Sequence, residues 1–337
     1  MNFALYRLPY SDVYSRVSYA GSPLILNSYK ELGNLSGFVI APFFISGKTP
    51  LVVLPLDGMN LERKAVPTVD MRDEEANRIL SLEEDRNAYT EDFVKFHDAV
   101  SEGSFAKLVL SRSRRLTMEN EPDLEKLFLY FCDNYPRAMV MLFNTEQTGT
   151  WLIASPEILV ESQQPGLGTI ALAGTMPFCE GLPLWSEKNK HEQHIVETYI
   201  EETISPLSDR VIKDGPHSVR AGNLMHLRTD FRFQPSEGVS VGNIVACLHP
   251  TPAVCGMPKS EAREFVLKHE SNERRYYSGF AGPLNMDGGT HLFVSLRCMN
   301  IEGNCLTVYA GGGIMPDSNV EDEWRETEMK MINCYLS

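Results

Sequence analysis

The feature that most constrains the fold is a series of short apolar segments, rich in β-branched and aromatic residues, which helical segments interrupt only irregularly. The predicted strands are residues 37–42, 51–54, 107–110, 138–143, 151–154 and 292–296. Helices are predicted at 93–100, 190–204 and 259–269, where apolar residues recur at helical spacing. The regular strand–helix alternation of a doubly wound parallel sheet is missing. We therefore predict an α/β (α+β) fold with a core of large, mainly antiparallel β-sheets flanked by helices.

Length and composition allow an ample hydrophobic core. The chain has 337 residues, of which 43% are hydrophobic and 23% are charged, as in globular proteins. Length alone permits one large domain or two ordinary ones. We predict a single domain over residues 1–337, in which residues 1–90 supply N-terminal strands and residues 91–337 carry the functional motifs.

The charge balance narrows the possible partners. The chain carries 31 Lys and Arg against 45 Asp and Glu, a net charge of −14. Nucleic acid is not an expected partner, because a phosphate backbone needs clustered positive charge. A small anionic substrate remains possible, since it meets only its local site.

The sequence also predicts a location. Its apolar stretches, such as 138–143, are too short to span a bilayer, so no membrane association is expected. The seven cysteines are scattered singly without a CxxC pair, which argues against a disulfide framework or a zinc site. We expect a reducing cytoplasm.

The C-terminal region combines a glycine run with an acidic helical segment. Gly311 to Gly313 permit close approach of the backbone to a ligand. Further on, Glu323, Glu326 and Lys330 share one face of the predicted helix. Such a stripe suits an anionic ligand held through a divalent cation; the alternative is a solvated acidic helix.

Two ionisable residues lie within apolar segments. Lys107 opens the strand KLVL, where apolar packing would favour its neutral form and allow it to act as a base. Glu157 lies between two apolar runs, where a carboxyl group keeps its proton and can act as a general acid. The alternatives are a lysine that reaches out to water and a solvent-facing glutamate.

Further polar residues are weak candidates when each is taken alone. Glu192 lies in the sequence HEQH, whose histidines are only three residues apart, so a zinc-protease motif is rejected. With Glu323 and Glu326 it would instead form the carboxylate set that Mg²⁺ prefers. Gly174-Thr175 offers a turn with a hydroxyl group, and Arg297 can clamp a carboxylate or simply be solvated.

Taken in order, these segments resemble the chorismate-utilising enzymes, which include isochorismate synthases, salicylate synthases, anthranilate synthase component I and aminodeoxychorismate synthase. The matching segments are KLVLSR, ASPEILV, LAGTMP, NKHEQH, LHPTPAVCGMP, YYSGFAG, FVSLRC and AGGGIMP followed by EDEWRETEMK. They extend from Lys107 to Lys330. Residues 1–90 match only vaguely.

The resemblance implies two stacked antiparallel sheets with a cleft between them, and a Mg²⁺-dependent reaction of chorismate. Glu192 and Glu326 would hold Mg²⁺, with Glu323 contributing directly or through water, and the metal would bind the ring carboxylate. The pyruvyl carboxylate would be held by Arg297, Tyr277, Lys330 and the backbone around Gly311 and Gly313. Gly174 and Thr175 would line the ring site, together with Ala253.

Three features favour the isochorismate synthases within this family. The resemblance implies that Lys107 marks enzymes whose nucleophile is water, since anthranilate synthases carry glutamine there. Ala173 stands where aminodeoxychorismate synthases carry a nucleophilic lysine. The segment around Ala253 is similar to that of isochorismate synthases, whereas salicylate synthases tend to have a threonine nearby. We predict an isochorismate synthase with Lys107 as base and Glu157 as acid.

Alternatives remain at this point. A salicylate synthase would also expel pyruvate, and a chorismate-binding protein without turnover would need neither Lys107 nor Glu157. We expect no glutaminase subunit and a monomer or homodimer. The pathway is menaquinone or siderophore biosynthesis, of which we favour menaquinone.

Overall fold

The computed structural model describes residues 2–67, 78–221, 224–286 and 288–332. Its strands are β1 (Asn2–Arg7), β2 (Val13–Tyr19), β3 (Leu24–Leu26), β4 (Gly37–Ala41), β5 (Leu51–Pro55), β6 (Met59–Ala65), β7 (Ile79–Glu83), β8 (Lys107–Met118), β9 (Met139–Thr145), β10 (Gly149–Ser155), β11 (Ile158–Ser162), β12 (Leu167–Pro177), β13 (Ser208–Ala221), β14 (Leu224–Pro235), β15 (Gly256–Met257), β16 (Phe280–Leu284), β17 (His291–Val294), β18 (Cys298–Glu302) and β19 (Cys305–Ile314). The helices are α1 (Arg86–Ser101), α2 (Leu124–Asn134), α3 (Glu187–Ile204), α4 (Val241–Leu248), α5 (Lys259–His269) and α6 (Val320–Ile332). Short 3₁₀ helices cover Tyr29–Asn34 and Ser205–Leu207.

The strands form two large antiparallel sheets. The first, of ten strands, has the order β15-β8-β19-β18-β10-β9-β1-β2-β6, with β7 also paired to β8. The second, of nine strands, has the order β13-β14-β12-β11-β17-β16-β4-β5-β3. The N-terminal strands join both sheets, since β1 pairs with β9 and β4 with β16. The predicted α/β (α+β) fold with large antiparallel sheets is confirmed.

The alternation of side chains explains why many strands are apolar throughout. In β9, Met141 and Phe143 belong to the core between the two sheets, whereas Val140 and Leu142 pack on the opposite face near α2. A strand that is covered on both faces has no solvent-facing positions, so its sequence does not alternate between apolar and polar residues. Helices therefore cover the outer faces of the sheets.

Each helical layer covers a particular sheet face. Helices α3 and α4 pack on the second sheet, and α2 packs on the first. Helices α1, α5 and α6 pack around the start of β8. In the ranges that the structure describes, no helix is long and apolar enough to cross a membrane.

The predicted elements agree with the observed ones in most places. The helix predicted at 259–269 coincides with α5, and that predicted at 190–204 is α3, which begins at Glu187. The prediction of a strand over 292–296 was too long, because β17 ends at Val294. Ser295 to Arg297 form an irregular connection in which Arg297 takes a positive φ of 47°.

Candidate functional site

The floor of the site is the pairing of β8 with β19. Gly313 lies opposite Val109, and Gly311 lies opposite Ser111. A Cβ atom on Gly313 would lie 2.8 Å from the Lys107 Cε atom and would also collide with the Glu192 carboxylate. The glycine run therefore leaves room for two charged side chains directly above the strand.

Replacing Gly313 by alanine tests this requirement for space. The colliding atoms belong to flexible side chains, so the fold should tolerate the change while Lys107 and Glu192 are displaced. A misplacement of about 1 Å can cost about 10²-fold in rate, and we expect a loss of that order in kcat/KM for a reaction at this site. The measurement is steady-state kinetics beside a thermal melt.

Gly47→Ala is the matched control, since a Cβ there meets nothing within 4 Å. Full activity of Gly313→Ala would show that the site does not need this space.

Lys107 is fully buried at the start of β8. Its Nζ atom lies 2.8 Å from Glu192 Oε1, on α3. Burial alone would raise the pKa of Glu192, but the Lys107 ammonium, with help from Lys330 and Lys188, outweighs it and lowers that pKa. Glu192 is therefore an anion that is held in place by cationic neighbours.

Two further carboxylates reach the site from α6, and each also binds a lysine. Lys188 Nζ lies 2.5 Å from Glu323 Oε1, and Lys330 Nζ lies 2.7 Å from Glu326 Oε1. Lys330 also donates to the Gly311 carbonyl oxygen at 2.8 Å. Burial, followed by the nearby Glu326 carboxylate, raises the pKa of Glu323. The two glutamates thus repel each other, as expected for carboxylates three residues apart on one helix face.

These carboxylates fit a divalent cation in their chemistry. Carboxylate oxygens are the ligands that Mg²⁺ prefers, and Glu323 Oε2 is buried without a hydrogen-bond partner among the described residues. A Cβ atom on Gly312 would lie 2.9 Å from that oxygen and 3.8 Å from Glu326 Oε1, so both carboxylates approach the same glycine. In the present rotamers, however, the described His, Cys, Asp and Glu side chains form no ready metal-binding group. The lysines that pair with these carboxylates would have to move away before a cation could bind.

Glu157 lies where the chain passes from the first sheet to the second, between β10 and β11. Its side chain is buried, and its backbone carbonyl accepts a hydrogen bond from the amide of Val294. Burial raises the pKa of Glu157 to about 8, even though the Lys107 ammonium acts in the opposite direction. At neutral pH this carboxyl group is mostly protonated and can donate a proton.

A small cavity brings most of the predicted residues together. It measures about 90 Å³, which is well below the roughly 300–1,000 Å³ of typical ligand sites. The predicted residues on its wall are Glu157, Gly174, Thr175, Glu192, Ala253, Tyr277, Arg297, Gly311, Gly313 and Lys330. Three predicted residues are not part of this wall but contact residues that are. Lys107 pairs with Glu192, and Glu326 pairs with Lys330. Glu323 lies beside Gly312. We call this space the reaction cavity.

His226, on β14, is a site residue that the sequence analysis missed. Arg297 Nη2 lies 3.3 Å from His226 Nε2, and His226 Nδ1 lies 3.1 Å from the Gly174 carbonyl oxygen. Burial and the charge of Arg297 lower the pKa of His226 to about 3, so the ring is neutral. It then accepts from Arg297 and donates to Gly174, which links two predicted substrate-binding positions.

Lys188 was also missed, although it lies four residues before Glu192 on α3. Both omissions have the same cause. A lone histidine inside a strand and a lysine in a charged helix turn have no local pattern that distinguishes them from ordinary surface residues. The pairing of β14 with β12 and the packing of α3 beside α6 bring them to the site.

Comparisons with known proteins agree with this geometry. The family model described as chorismate binding enzyme matches residues 59–334. Isochorismate synthase DhbC of Bacillus subtilis is 29% identical over 248 residues, which cover 68% of this chain and 62% of DhbC. The salicylate biosynthesis isochorismate synthase of Pseudomonas aeruginosa is 32% identical over 255 residues, covering 70% of this chain and 52% of that protein. The matches thus span between half and two thirds of these two relatives.

A solved structure shows the same fold. It is that of MenF, the menaquinone-specific isochorismate synthase of Escherichia coli, which superimposes with a TM-score of 0.81 at 21% identity. The superposition covers 99% of this chain and 88% of the MenF chain.

Proposed function

The chain belongs to the chorismate-binding enzymes, and we propose that it is an isochorismate synthase that uses water as its nucleophile. In the proposed reaction the oxygen of water bonds to C2 of the chorismate ring, the double bonds shift, and the C4–oxygen bond breaks. The departing hydroxyl leaves as water after it gains a proton. One water enters and one leaves, so the net change is an isomerisation.

The observation that carries the proposal is a buried amine and a protonated buried carboxyl group at one site. Lys107 is fully buried, and its charge is near enough to affect the pKa of Glu157. A base and an acid are what the two ends of this reaction require. A protein that only binds chorismate would need neither group.

Lys107 would remove the proton from the attacking water. It can do so only as the neutral amine, whereas the Glu192 carboxylate lies 2.8 Å from its Nζ atom. Glu192 must therefore turn away from Lys107 before reaction.

Glu157 would donate its proton to the departing C4 hydroxyl group. Its raised pKa of about 8 keeps that proton available at neutral pH. Because the group is buried, bulk water cannot easily replace it as proton donor.

The substrate-binding roles remain proposals that rest on the position of each residue. Arg297 and Lys330 are cationic residues on the wall of the reaction cavity and suit the pyruvyl carboxylate. The same group would be contacted by Tyr277 and the backbone at Gly311 and Gly313. The ring would lie against Gly174, Thr175 and Ala253.

Glu192 and Glu326 would hold Mg²⁺, with Glu323 contributing directly or through water. A bound Mg²⁺ would neutralise the ring carboxylate of chorismate and orient the ring. The lysine partners of these glutamates now occupy the same oxygens, so cation binding and rearrangement of the lysines should be coupled.

Replacing Glu326 by glutamine should weaken Mg²⁺ binding by at least about tenfold, since even an outer partner of a metal ligand contributes that much. The measurement is a calorimetric titration with Mg²⁺, supported by the Mg²⁺ dependence of activity. Glu321→Gln is the matched control, because Glu321 lies on α6 but is exposed and paired with Arg86. An unchanged Mg²⁺ titration for Glu326→Gln would remove Glu326 from the metal site.

A product assay tests the function itself. Purified protein is incubated with chorismate, with and without Mg²⁺, and the products are separated by chromatography. We expect Mg²⁺-dependent isochorismate without pyruvate. Salicylate with pyruvate would instead make the protein a salicylate synthase, and binding without conversion would make it a chorismate-binding protein.

Some expectations stay predictions. We infer a reducing cytoplasm as its location, which the free thiols of the six described cysteines suit. A role in menaquinone biosynthesis and function without a glutaminase subunit also remain to be tested.

A further inference from the structure

A buried ion pair lies beside the start of β8, and no step of the proposed reaction uses it. Glu270 directly follows α5, and Arg274 lies in the connection from α5 to β16. Only 2% of the Glu270 side chain and 3% of the Arg274 side chain are exposed. Arg274 Nε lies 2.6 Å from Glu270 Oε2, and Arg274 Nη2 lies 2.8 Å from Glu270 Oε1. The contact is therefore bidentate, which fixes the orientation of both side chains.

The pair lies along an edge of β8 that no described strand covers. On this side, β15 pairs with β8 only at residues 107–108, and β7 pairs with it only at residues 115–118. Between these pairings, Arg274 Nη2 donates to the Val109 carbonyl oxygen at 2.7 Å. The Ser111 amide donates to Glu270 Oε1 at 2.6 Å. These are backbone groups that a neighbouring strand would bind, so the two side chains take the place of a strand.

Arg274 also holds two other parts of the chain that surround the reaction cavity. Its Nη1 atom donates to the Val254 carbonyl oxygen at 2.6 Å. Its own carbonyl oxygen accepts a hydrogen bond from the Tyr277 amide at 2.8 Å. Val109, Val254 and Tyr277 all lie on the wall of the reaction cavity. One buried arginine thus connects β8, the segment around Val254 and the turn before β16.

The attraction between the two charges does not by itself explain this arrangement. The cost of removing both charges from water offsets much of that attraction, so apolar residues of similar volume often stabilise a protein as well. Apolar residues here would, however, leave the Val109 and Val254 carbonyls and the Ser111 amide without these partners. Lys107 lies two residues before Val109 on β8, so a displaced edge would also displace Lys107.

We propose that Glu270 and Arg274 are positioning residues, which fix the edge of β8 and thereby the location of Lys107 relative to the Val254 side of the reaction cavity. Both residues lie outside the wall of that cavity, so they act through the backbone of β8. That Lys107 is a base in a reaction of chorismate rests on the proposed function.

Hydrogen exchange of the full chain without substrate tests the effect on the backbone. The double variant Glu270→Leu/Arg274→Met removes both charges, so no buried charge is left unpaired. Overlapping peptides, analysed by mass spectrometry, report the exchange of the Ser111 amide. We expect that amide to exchange at least about tenfold faster in the double variant, because it loses its acceptor. Peptides from β10, within the same sheet, should exchange as in the unmodified protein.

Kinetics with chorismate test the effect on catalysis. In the folded double variant we expect kcat to fall by about 10²-fold, while KM changes by less than about threefold because Arg297 and Lys330 are untouched. A role in stability alone would lower the melting temperature and leave the kcat of the folded protein unchanged. Arg275→Met is the matched control, since Arg275 is the adjacent arginine and pairs with the exposed Glu302 instead. It should retain kcat.

Unchanged exchange of the Ser111 amide in the double variant would overturn the proposal, and so would an unchanged kcat in the folded variant. If the double variant does not fold, Arg274→Lys decides. Lysine keeps the charge beside Glu270 but cannot reproduce the bidentate contact together with both backbone hydrogen bonds, so kcat should fall by about tenfold. Full kcat in Arg274→Lys would then overturn the positioning role. If the unmodified protein does not convert chorismate, the proposed function fails, and the exchange of the Ser111 amide still tests the positioning of β8.

Discussion

Replacing Lys107 by glutamine is expected to lower kcat for chorismate by about 10³-fold, within the range that a general base contributes. Lys107 is fully buried, and Glu192 Oε1 is its ionic partner at 2.8 Å. Glutamine is polar and uncharged, and its side chain is one atom shorter, but its amide cannot accept the proton of the attacking water. Chorismate binding should persist, since the predicted carboxylate-binding residues are untouched.

For the same variant, we expect that Mg²⁺ affinity does not fall, in contrast to kcat. Without the Lys107 ammonium, Glu192 loses its competing cation, so Mg²⁺ should bind at least as tightly as in the unmodified protein. Kinetics and a Mg²⁺ titration measure the two effects. Lys190→Gln serves as the control, because Lys190 is an exposed lysine on the same helix as Glu192. A kcat within tenfold of the unmodified value would remove Lys107 from the mechanism.

Replacing Glu157 by glutamine is expected to lower kcat by about 10²–10⁴-fold, because the amide cannot donate a proton to the leaving hydroxyl. The pH dependence gives a sharper test. The pKa of Glu157 is raised by burial to about 8, so its acid form is present below that pH and is lost above it. Activity of the unmodified protein should therefore fall as the pH rises through about 8.

Glu157→Gln should lose this alkaline fall, since it has no group left to ionise at that position. Glu146→Gln, at an exposed site, should retain both the rate and the pH profile. An alkaline limb that survives unchanged in Glu157→Gln would assign it to another group.

The sheets could be predicted from the sequence because their apolar runs are local. The strand predicted at 138–143 is observed as β9 (Met139–Thr145), whose two faces are both covered, and α5 has a clear helical repeat of apolar residues. The end of β17 could not be predicted, because the apolar residue Leu296 follows Ser295 and extends the apparent strand beyond Val294. The positive φ of Arg297 has no signal in the neighbouring residues of the sequence.

The site was only partly predictable for a related reason. Glu323, Glu326 and Lys330 share a helix face, so their proximity follows from spacing alone. The partners of Lys107 and Glu323 come from α3, more than eighty residues away in each case, and only the packed sheets bring them together. No local sequence pattern indicates that each of the three glutamates is paired with a lysine, which has to move before a metal can bind.

The measurement that tests the central claim most directly is a reaction in water enriched in ¹⁸O. Chorismate, Mg²⁺ and the protein are incubated briefly, and isochorismate is analysed by mass spectrometry at early times. Water attack at C2 predicts one ¹⁸O atom in the new C2 hydroxyl group of the product. Isochorismate that forms without the label would contradict the account, because the hydroxyl would then have moved within the substrate.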